Sequence, residues 1–203
     1  MGVISNGTTL LDAGAFSVAT GSMTLIKTLT ASNSGTLSFV HGSASVILDG
    51  TYKKYIFKIL NVHPSADNRD FDFNVTIDSG SNYNVVKTTN YFYRYHQESG
   101  GNGSLENVSA SDLAQDAAFQ EVMENVGGDA DQAGCGELHL FDPANTTFVK
   151  HFMVSTTHAS ANNYNKAAYV AGYANTTSAV NGVQFKFNAD NIETGVIKLY
   201  GVK

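Results

Sequence analysis

The chain has 203 residues, and its 12 basic and 18 acidic side chains give a formal net charge of −6. A chain of this length fits one large all-β domain that buries about 70 % of its unfolded surface, so it can fold without disulfides. Its single cysteine excludes an internal disulfide framework, and an acidic chain with only two arginines argues against a nucleic acid partner.

The first 22 residues are rich in Gly, Ser, Thr and Ala and only loosely patterned, so residues 1–22 are predicted to form an N-terminal arm. This arm would lie on its own domain or on a neighbouring molecule. It contains no basic region followed by an apolar core, so no signal peptide is expected. No apolar run approaches the roughly 20 residues of a membrane helix, so no membrane partner is expected. Residues 23–203 show neither a linker nor a second core and are predicted to form a single domain.

Runs of alternating apolar and polar residues, separated by Gly and Ser, follow the arm and predict β-strands. The clearest run is 69–78, in which Phe, Phe, Val and Ile alternate with Asp, Asp, Asn and Thr. Since successive strand residues point to opposite faces, we expect Phe73 and Phe185 in the core, and Asp72 and Lys186 pointing outward. The other strands predicted in the first half of the chain are 23–31, 35–41, 44–50, 52–63 and 83–96.

One segment, 109–128, predicts a helix. Ser109 and Asp112 resemble a capping box, and the two glycines at 127 and 128 are typical of a helix end. The apolar residues between them recur at the spacing of one helical face, i, i+3, i+4 and i+7. These residues are Phe119, Val122, Met123 and Val126.

Strands resume after the predicted helix. Runs 183–188 and 195–202 are separated by Asn, Asp and Gly, which favour turns, and are expected to pair as neighbouring antiparallel strands. About ten strands with frequent turns and one short helix indicate a two-sheet sandwich or a barrel. The remaining predicted strands are 137–142, 146–158 and 167–175.

Three acidic residues, Asp67, Asp70 and Asp72, are the first candidates for a metal site. Calcium prefers several oxygen ligands, but these residues do not have the spacing of a calcium-binding loop, and Arg69 lies among them. The alternative is the solvent-facing side of an amphipathic strand, which we favour. The same two hypotheses apply to the acidic loop at 127–132.

Catalytic motifs are also missing from the sequence. The six histidines are scattered without the spacing of a zinc site, although His139 and His151 fall on adjacent predicted strands. There is no Gly-x-Ser-x-Gly motif, and Cys135 has no activating histidine that the sequence can place beside it. We therefore predict no enzyme, no catalytic residue, no cofactor and no metal.

The run from Asn90 to His96 is the most suggestive binding feature. It places Tyr91, Tyr93 and Tyr95 on one face of a strand, where they are candidates for a subunit interface or for stacking on sugar rings. The alternative, which we favour, is that one aromatic face belongs to the core while the other pairs across strands.

Five strand segments carry a further pattern: DGTYKKYIFKILNVHP, DFNVTIDSGSNYN, ELHLFDPANTTFVKHF, YVAGYANTTSAVNGVQFKF and NIETGVIKLYGVK. From about Tyr52 onwards they resemble a family of virion structural proteins of tailed phages, in particular marine phages. The resemblance implies a jelly-roll-like β-sandwich displayed on the virion as a capsid decoration (cement) protein or as a tail component. It implies the major capsid protein or other virion proteins as partners, and it implies no catalytic residue.

The expected function is therefore that of a non-enzymatic structural protein of a phage particle. Closed symmetry is the usual way to bury self-complementary patches, so we expect a homo-oligomer, most simply a trimer. The alternative is a carbohydrate- or receptor-binding tail protein, which the tyrosine run and the Asn- and Gly-rich loops would suit.

Overall fold

The protein is an all-β sandwich. The computed structural model describes residues 3–5, 8–12, 15–16 and 23–203, and the side chains from residue 23 onwards. Within these ranges the chain forms sixteen strands and no helix. Thirteen of the strands build two antiparallel sheets, of nine and four strands, that pack face to face around one hydrophobic core. The predicted two-sheet sandwich is confirmed, with more strands than the ten or so expected.

The strands, in chain order, are β1 (Val3–Ser5), β2 (Thr8–Asp12), β3 (Ala15–Phe16), β4 (Met23–Ser34), β5 (Leu37–Val40), β6 (Lys54–Pro64), β7 (Arg69–Thr76), β8 (Lys87–Gln97), β9 (Gly103–Asn107), β10 (Ala114–Asp116), β11 (Gln120–Val126), β12 (Gly134–Phe141), β13 (Lys150–Ala159), β14 (Tyr164–Ala174), β15 (Gly182–Phe187) and β16 (Ile192–Val202). The large sheet has the order β10-β8-β14-β13-β12-β6-β16-β4, and β9 also pairs with β8. The small sheet has the order β11-β7-β15-β5.

The predicted arm, 1–22, is described only in part. Its strands β1, β2 and β3 pair with one another in a small antiparallel sheet of their own. The other residues of this segment lie outside the described ranges. Attachment of the arm to a neighbouring molecule stays a prediction.

Aromatic rings fill the space between the two sheets. The ring centre of Phe185 on β15 lies 5.6 Å from that of Phe57 and 6.0 Å from that of Phe71. Phe73 on β7 meets Phe152 of the large sheet edge to face, with ring centres 5.0 Å apart. All five rings are buried, so the prediction that Phe73 and Phe185 belong to the core is confirmed.

Strand β13 shows why these sequences form a sandwich. Its residues alternate strictly between exposed and buried along the whole strand. Phe152, Val154 and Thr156 face the small sheet, while His151 and Met153 face outward. Since the side-chain period of a strand is two, only this pairing register places the apolar set in the core.

The predicted helix at 109–128 is wrong. The segment contains β10 and β11, and the pairing of β11 with β7 shifts register between Glu121 and Met123 and again between Met123 and Val126. Such bulges interrupt the alternation, so Val122, Met123 and Val126 are all buried in one irregular strand. This spacing of buried residues imitates one face of a helix.

Two predictions about β-strand placement are also wrong. The run 44–50 forms turns and bends, although Val46 and Leu48 are buried in the core. Strands β15 and β16 do not pair with each other, because β15 belongs to the small sheet and β16 to the large one. The polar turn between them crosses from sheet to sheet, where Asp190 forms a salt bridge with Arg69 at the start of β7.

Asp72 does not point into solvent as predicted. It lies opposite Glu121 on one neighbouring strand and Lys186 on the other, and it is buried. The next outward residue, Asn74, donates from Nδ2 to the carbonyl of Ala117 at 3.0 Å. The chain that leads into β11 therefore covers this face of the small sheet. Lys186 is half-buried, so its predicted exposure is also only partial.

The part of the chain that the structure describes contains no helix with the length and apolar character needed to cross a membrane.

A pair of phenylalanines tests the core. We expect Phe185→Ala to lower the free energy of unfolding by about 3–5 kcal/mol, because it removes a buried ring and leaves a cavity between the sheets. Phe148→Ala is the matched control, since Phe148 is 68 % exposed, and it should change that free energy by about 0.5 kcal/mol or less. Urea unfolding at equilibrium measures both. Equal losses in the two variants would contradict the assigned core.

Candidate functional site

The three tyrosines predicted as a binding feature share one face of β8, but their burial differs. Tyr91 is fully buried in the core, whereas Tyr93 and Tyr95 are half-buried. Adjacent rings along the row lie 5.9 Å and 6.1 Å apart, centre to centre. The row therefore begins in the core and emerges from it, so only Tyr93 and Tyr95 remain candidates for contact with a ligand.

The two emerging tyrosines line a surface cavity of about 300 Å³. It lies where β8 and β14 of the large sheet meet the edge strand β11 of the small sheet. We call this cavity the tyrosine groove. Its lining residues are Tyr93, Tyr95, Glu106, Glu124, Asn125, Asn162, Tyr164 and Lys166.

A partly buried ion pair lies in the tyrosine groove. The ammonium of Lys166 on β14 lies 2.6 Å from Oε2 of Glu124 on β11, and it sits 4.7 Å from the centre of the Tyr93 ring. Burial, followed by the neighbouring Glu124 carboxylate, raises the pKa of the Tyr93 hydroxyl. The ion pair connects the two sheets, and the carboxylate of Glu124 neutralises the positive charge of Lys166.

Side chains of the large sheet hold β11 in place beside this ion pair. Thr156 Oγ1 donates to the carbonyl of Val122 at 2.7 Å, and His158 Nε2 lies 2.7 Å from the carbonyl of Glu124. Burial lowers the pKa of His158 to about 4, so the ring is neutral at pH 7 and Nε2 carries the hydrogen that is donated. These bonds satisfy carbonyls on the strand edge that no neighbouring strand covers, which fixes one wall of the groove.

Two acidic residues on the strand pair β7 and β11 carry raised pKa values. Glu121 and Asp72 are directly opposite each other on β11 and β7. Burial first, and then the charge of Asp70, raise the pKa of Glu121 to about 8 and that of Asp72 to about 7. One carboxylate oxygen of Glu121 is buried without a hydrogen-bond partner among the described residues, while the other accepts from Ser111 at 3.2 Å.

The acidic residues considered as calcium ligands have structural roles. Asp70 accepts a hydrogen bond from the backbone N–H of Asn125 at 2.8 Å and one from the side chain of Asn188, and Asp67 accepts one from the backbone N–H of Gly128. Among the residues from 23 to 203, no group of three or more His, Cys, Asp or Glu side chains is arranged to hold a metal ion. The hydrogen bonds hold neighbouring loops against β7.

The histidines and the cysteine are likewise separate from the groove's opening. His139 and His151 do lie on adjacent strands, as predicted, and His139 Nε2 is 3.0 Å from a carboxylate oxygen of Glu137. Cys135 Sγ contacts Asn61, whose side-chain oxygen is 3.1 Å away. The structure places no histidine beside the thiol within hydrogen-bond distance in the described part of the chain.

Sequence reasoning missed Glu106, Glu124, Tyr164 and Lys166 as members of the site. The signal for Lys166 was present, because it has the same phase along β14 as the buried Ala168 and Val170. A lysine in the inward phase of a strand requires a partner in the interior. The sequence does not name that partner, because Glu124 lies in the segment predicted as a helix.

Comparisons with known proteins add no assignment. No protein-family model matches the chain, and neither a curated protein nor a solved structure matches it.

The acidic residues generate a prediction about pH. Glu121 is protonated in the folded state up to about pH 8 and ionises near 4.5 when exposed, so the folded protein holds an extra proton between these values. Its contribution to stability is complete below pH 4.5 and is lost as the pH rises through 8. The glutamine in Glu121→Gln cannot ionise. The free energy of unfolding of this variant minus that of the natural protein should therefore increase from pH 5 to pH 9. We expect a gain of about 1.4 kcal/mol or more, which corresponds to one pKa unit.

Urea unfolding at several pH values measures this gain. Glu98→Gln removes an exposed carboxylate and serves as the control for loss of a charge. If the curves of the natural protein and Glu121→Gln stayed parallel from pH 5 to pH 9, Glu121 would not be a buried acid.

Proposed function

We propose that the protein is a non-enzymatic structural protein of a phage particle, a capsid decoration protein that packs against copies of itself and against other virion proteins. The resemblance of its strand segments to virion proteins of tailed phages motivates the proposed location in a phage particle. The outer face of the nine-stranded sheet, the face that points away from the small sheet, is the observation that supports adhesion to other proteins.

This outer face exposes large apolar side chains. Phe92 on β8 and Tyr169 on β14 stack with ring centres 5.4 Å apart, and they remain 42 % and 48 % exposed. Met153 on the next strand, β13, is 57 % exposed. Small residues such as Ala171 and Ser155 lie between them, so the surface is shallow enough for a flat partner. Contiguous exposed apolar surface on a folded protein marks an interaction site.

A symmetric homo-oligomer would bury this face in every copy of the chain, and we propose a trimer. Charged residues on this face are partly paired, as in the salt bridge between Lys58 and Glu137, whose N–O distance is 3.0 Å. An interface of this composition depends on apolar contact and shape rather than on long-range charge attraction. Virion localisation follows from the same proposal.

Self-association tests the outer face. We expect Met153→Asp to weaken the homo-oligomer at least about tenfold, because it places an unpaired charge at the centre of the apolar contact. Ile77→Asp is the control, since Ile77 is also exposed but lies beyond the end of β7 in the small sheet. Light scattering coupled to size-exclusion chromatography gives the mass of each. A monomeric natural protein at high concentration would contradict the proposed oligomer.

Mass spectrometry of purified phage particles tests the location. The protein should be present at a fixed ratio to the major capsid protein, and its absence from the particles would end the structural proposal.

A second function, binding of a carbohydrate receptor, is favoured by the tyrosine groove. Half-buried aromatic rings beside free amide and carboxylate groups are a suitable combination for sugars, which present apolar C–H faces and hydroxyl groups. Because Tyr91 lies in the core, its substitution would test folding, and substitutions that test binding belong at the rim of the groove.

A further inference from the structure

We propose that the tyrosine groove takes one or two uncharged sugar rings, as in neutral hexoses and N-acetylhexosamines, and that it rejects anionic sugars. This inference rests on the second function proposed above and names its ligand class. It does not depend on the protein's place in a phage particle.

The aromatic part of the groove is an angular wall rather than a flat platform. Tyr95 and Tyr164 meet edge to face with ring centres 5.2 Å apart, and Tyr93 lies behind Tyr95. A pyranose ring can place its C–H face against one of these tyrosines while its edge touches the other. The electron-rich ring faces attract the partially positive C–H groups.

Polar groups around this wall are free to bind hydroxyls. The side chains of Glu106, Asn125 and Asn162 line the groove and make no side-chain hydrogen bond to any described residue. Together they offer amide donors, amide acceptors and a carboxylate acceptor. A sugar hydroxyl both donates and accepts, so this mixed set matches it better than a set of one kind would.

The charges of the groove decide between neutral and charged ligands. Glu106 and Glu124 supply two negative charges, and Lys166 supplies one positive charge that is already bound to Glu124. The remaining negative charge repels carboxylated or sulfated sugars. The ammonium of Lys166 also occupies one face of Tyr93, the position that a cationic ligand would need for a cation–π contact.

Size sets the number of sugar rings. A volume of about 300 Å³ is at the lower end of the range of roughly 300–1,000 Å³ for small-molecule sites, which suits a terminal sugar or a disaccharide. Hydrolysis of a glycosidic bond usually needs two carboxyl groups, and only Glu106 is free in the groove because Glu124 is engaged by Lys166. We therefore assign it binding rather than hydrolysis.

Nuclear magnetic resonance titration of the whole protein tests the proposal. The probes are the methyl glycosides of glucose, galactose, mannose and N-acetylglucosamine, with the methyl glycoside of N-acetylneuraminic acid as an anionic probe and choline as a cationic one. We expect at least one uncharged glycoside to shift the amide signals of β8, β11 and β14 around the groove, while the anionic glycoside and choline shift none of them. Shifts caused only by the anionic glycoside or only by choline would overturn the assigned ligand class. No shift with any probe, or shifts confined to other regions, would overturn the site.

Substitutions identify the residues that bind. Tyr95→Ala and Tyr164→Ala should each weaken binding of the uncharged glycoside at least about tenfold, whereas Tyr95→Phe should retain most of it because the ring remains. Tyr169→Ala is the matched control, since it removes an exposed tyrosine from the opposite side of the same sheet. Unchanged affinity in both Tyr95→Ala and Tyr164→Ala would contradict the site. A parallel loss in Tyr95→Phe would contradict stacking.

The same variants separate this inference from the structural proposal. Groove variants should leave the mass of the homo-oligomer unchanged, and Met153→Asp should leave glycoside affinity unchanged. Loss of binding with an intact oligomer therefore concerns the groove alone.

Discussion

The unequal width of the two sheets is the constraint on which the rest of the structure depends. Four strands cannot cover the inner face of a sheet of nine, so each inward-facing residue of the large sheet is covered by the small sheet, covered by a loop, or left at the surface. Phe152 meets Phe73 of the small sheet, whereas the loop residues Val46 and Leu48 are buried in place of a further strand. Tyr93 and Tyr95 lie where this cover ends, and the groove is the consequence.

Charged groups are retained inside the sandwich where strand pairing stops. The ammonium of Lys87 bonds the side-chain oxygen of Asn74 at 2.6 Å and the carbonyl of Val85 at 2.8 Å, and burial lowers its pKa to about 7. The ammonium of Lys150 bonds the carbonyl of Phe148 at 2.6 Å. Burying a charge costs several kcal/mol unless hydrogen bonds compensate it. Each lysine therefore secures a loop carbonyl that the sheets leave without a partner, which fixes the loops at the ends of the sandwich.

Strict alternation made much of this fold predictable, and its interruption explains most of the errors. Residues such as Phe73 and Phe185 follow from the period of two, because an unbulged strand in a sandwich has only one register that buries them. Strand β11 could not be predicted in this way, since its bulges bury Val122 and Met123 in succession. Only part of the groove could be predicted from the sequence. Its tyrosines lie on one strand, but Glu124 reaches them through a sheet contact that local patterns do not encode.

The period of two also separates the two proposed binding surfaces. On β8, Phe92 points to the outer face while Tyr93 and Tyr95 point toward the groove, and on β14 the outward Tyr169 is distinct from the groove residue Lys166. A contact made through the outer face therefore buries one side of these strands and does not obstruct the groove on the other side. An oligomer assembled through the outer face would keep every groove open to solvent. The two proposed functions are thus compatible, because assembly of the homo-oligomer and binding of a sugar would use opposite sides of the same strands.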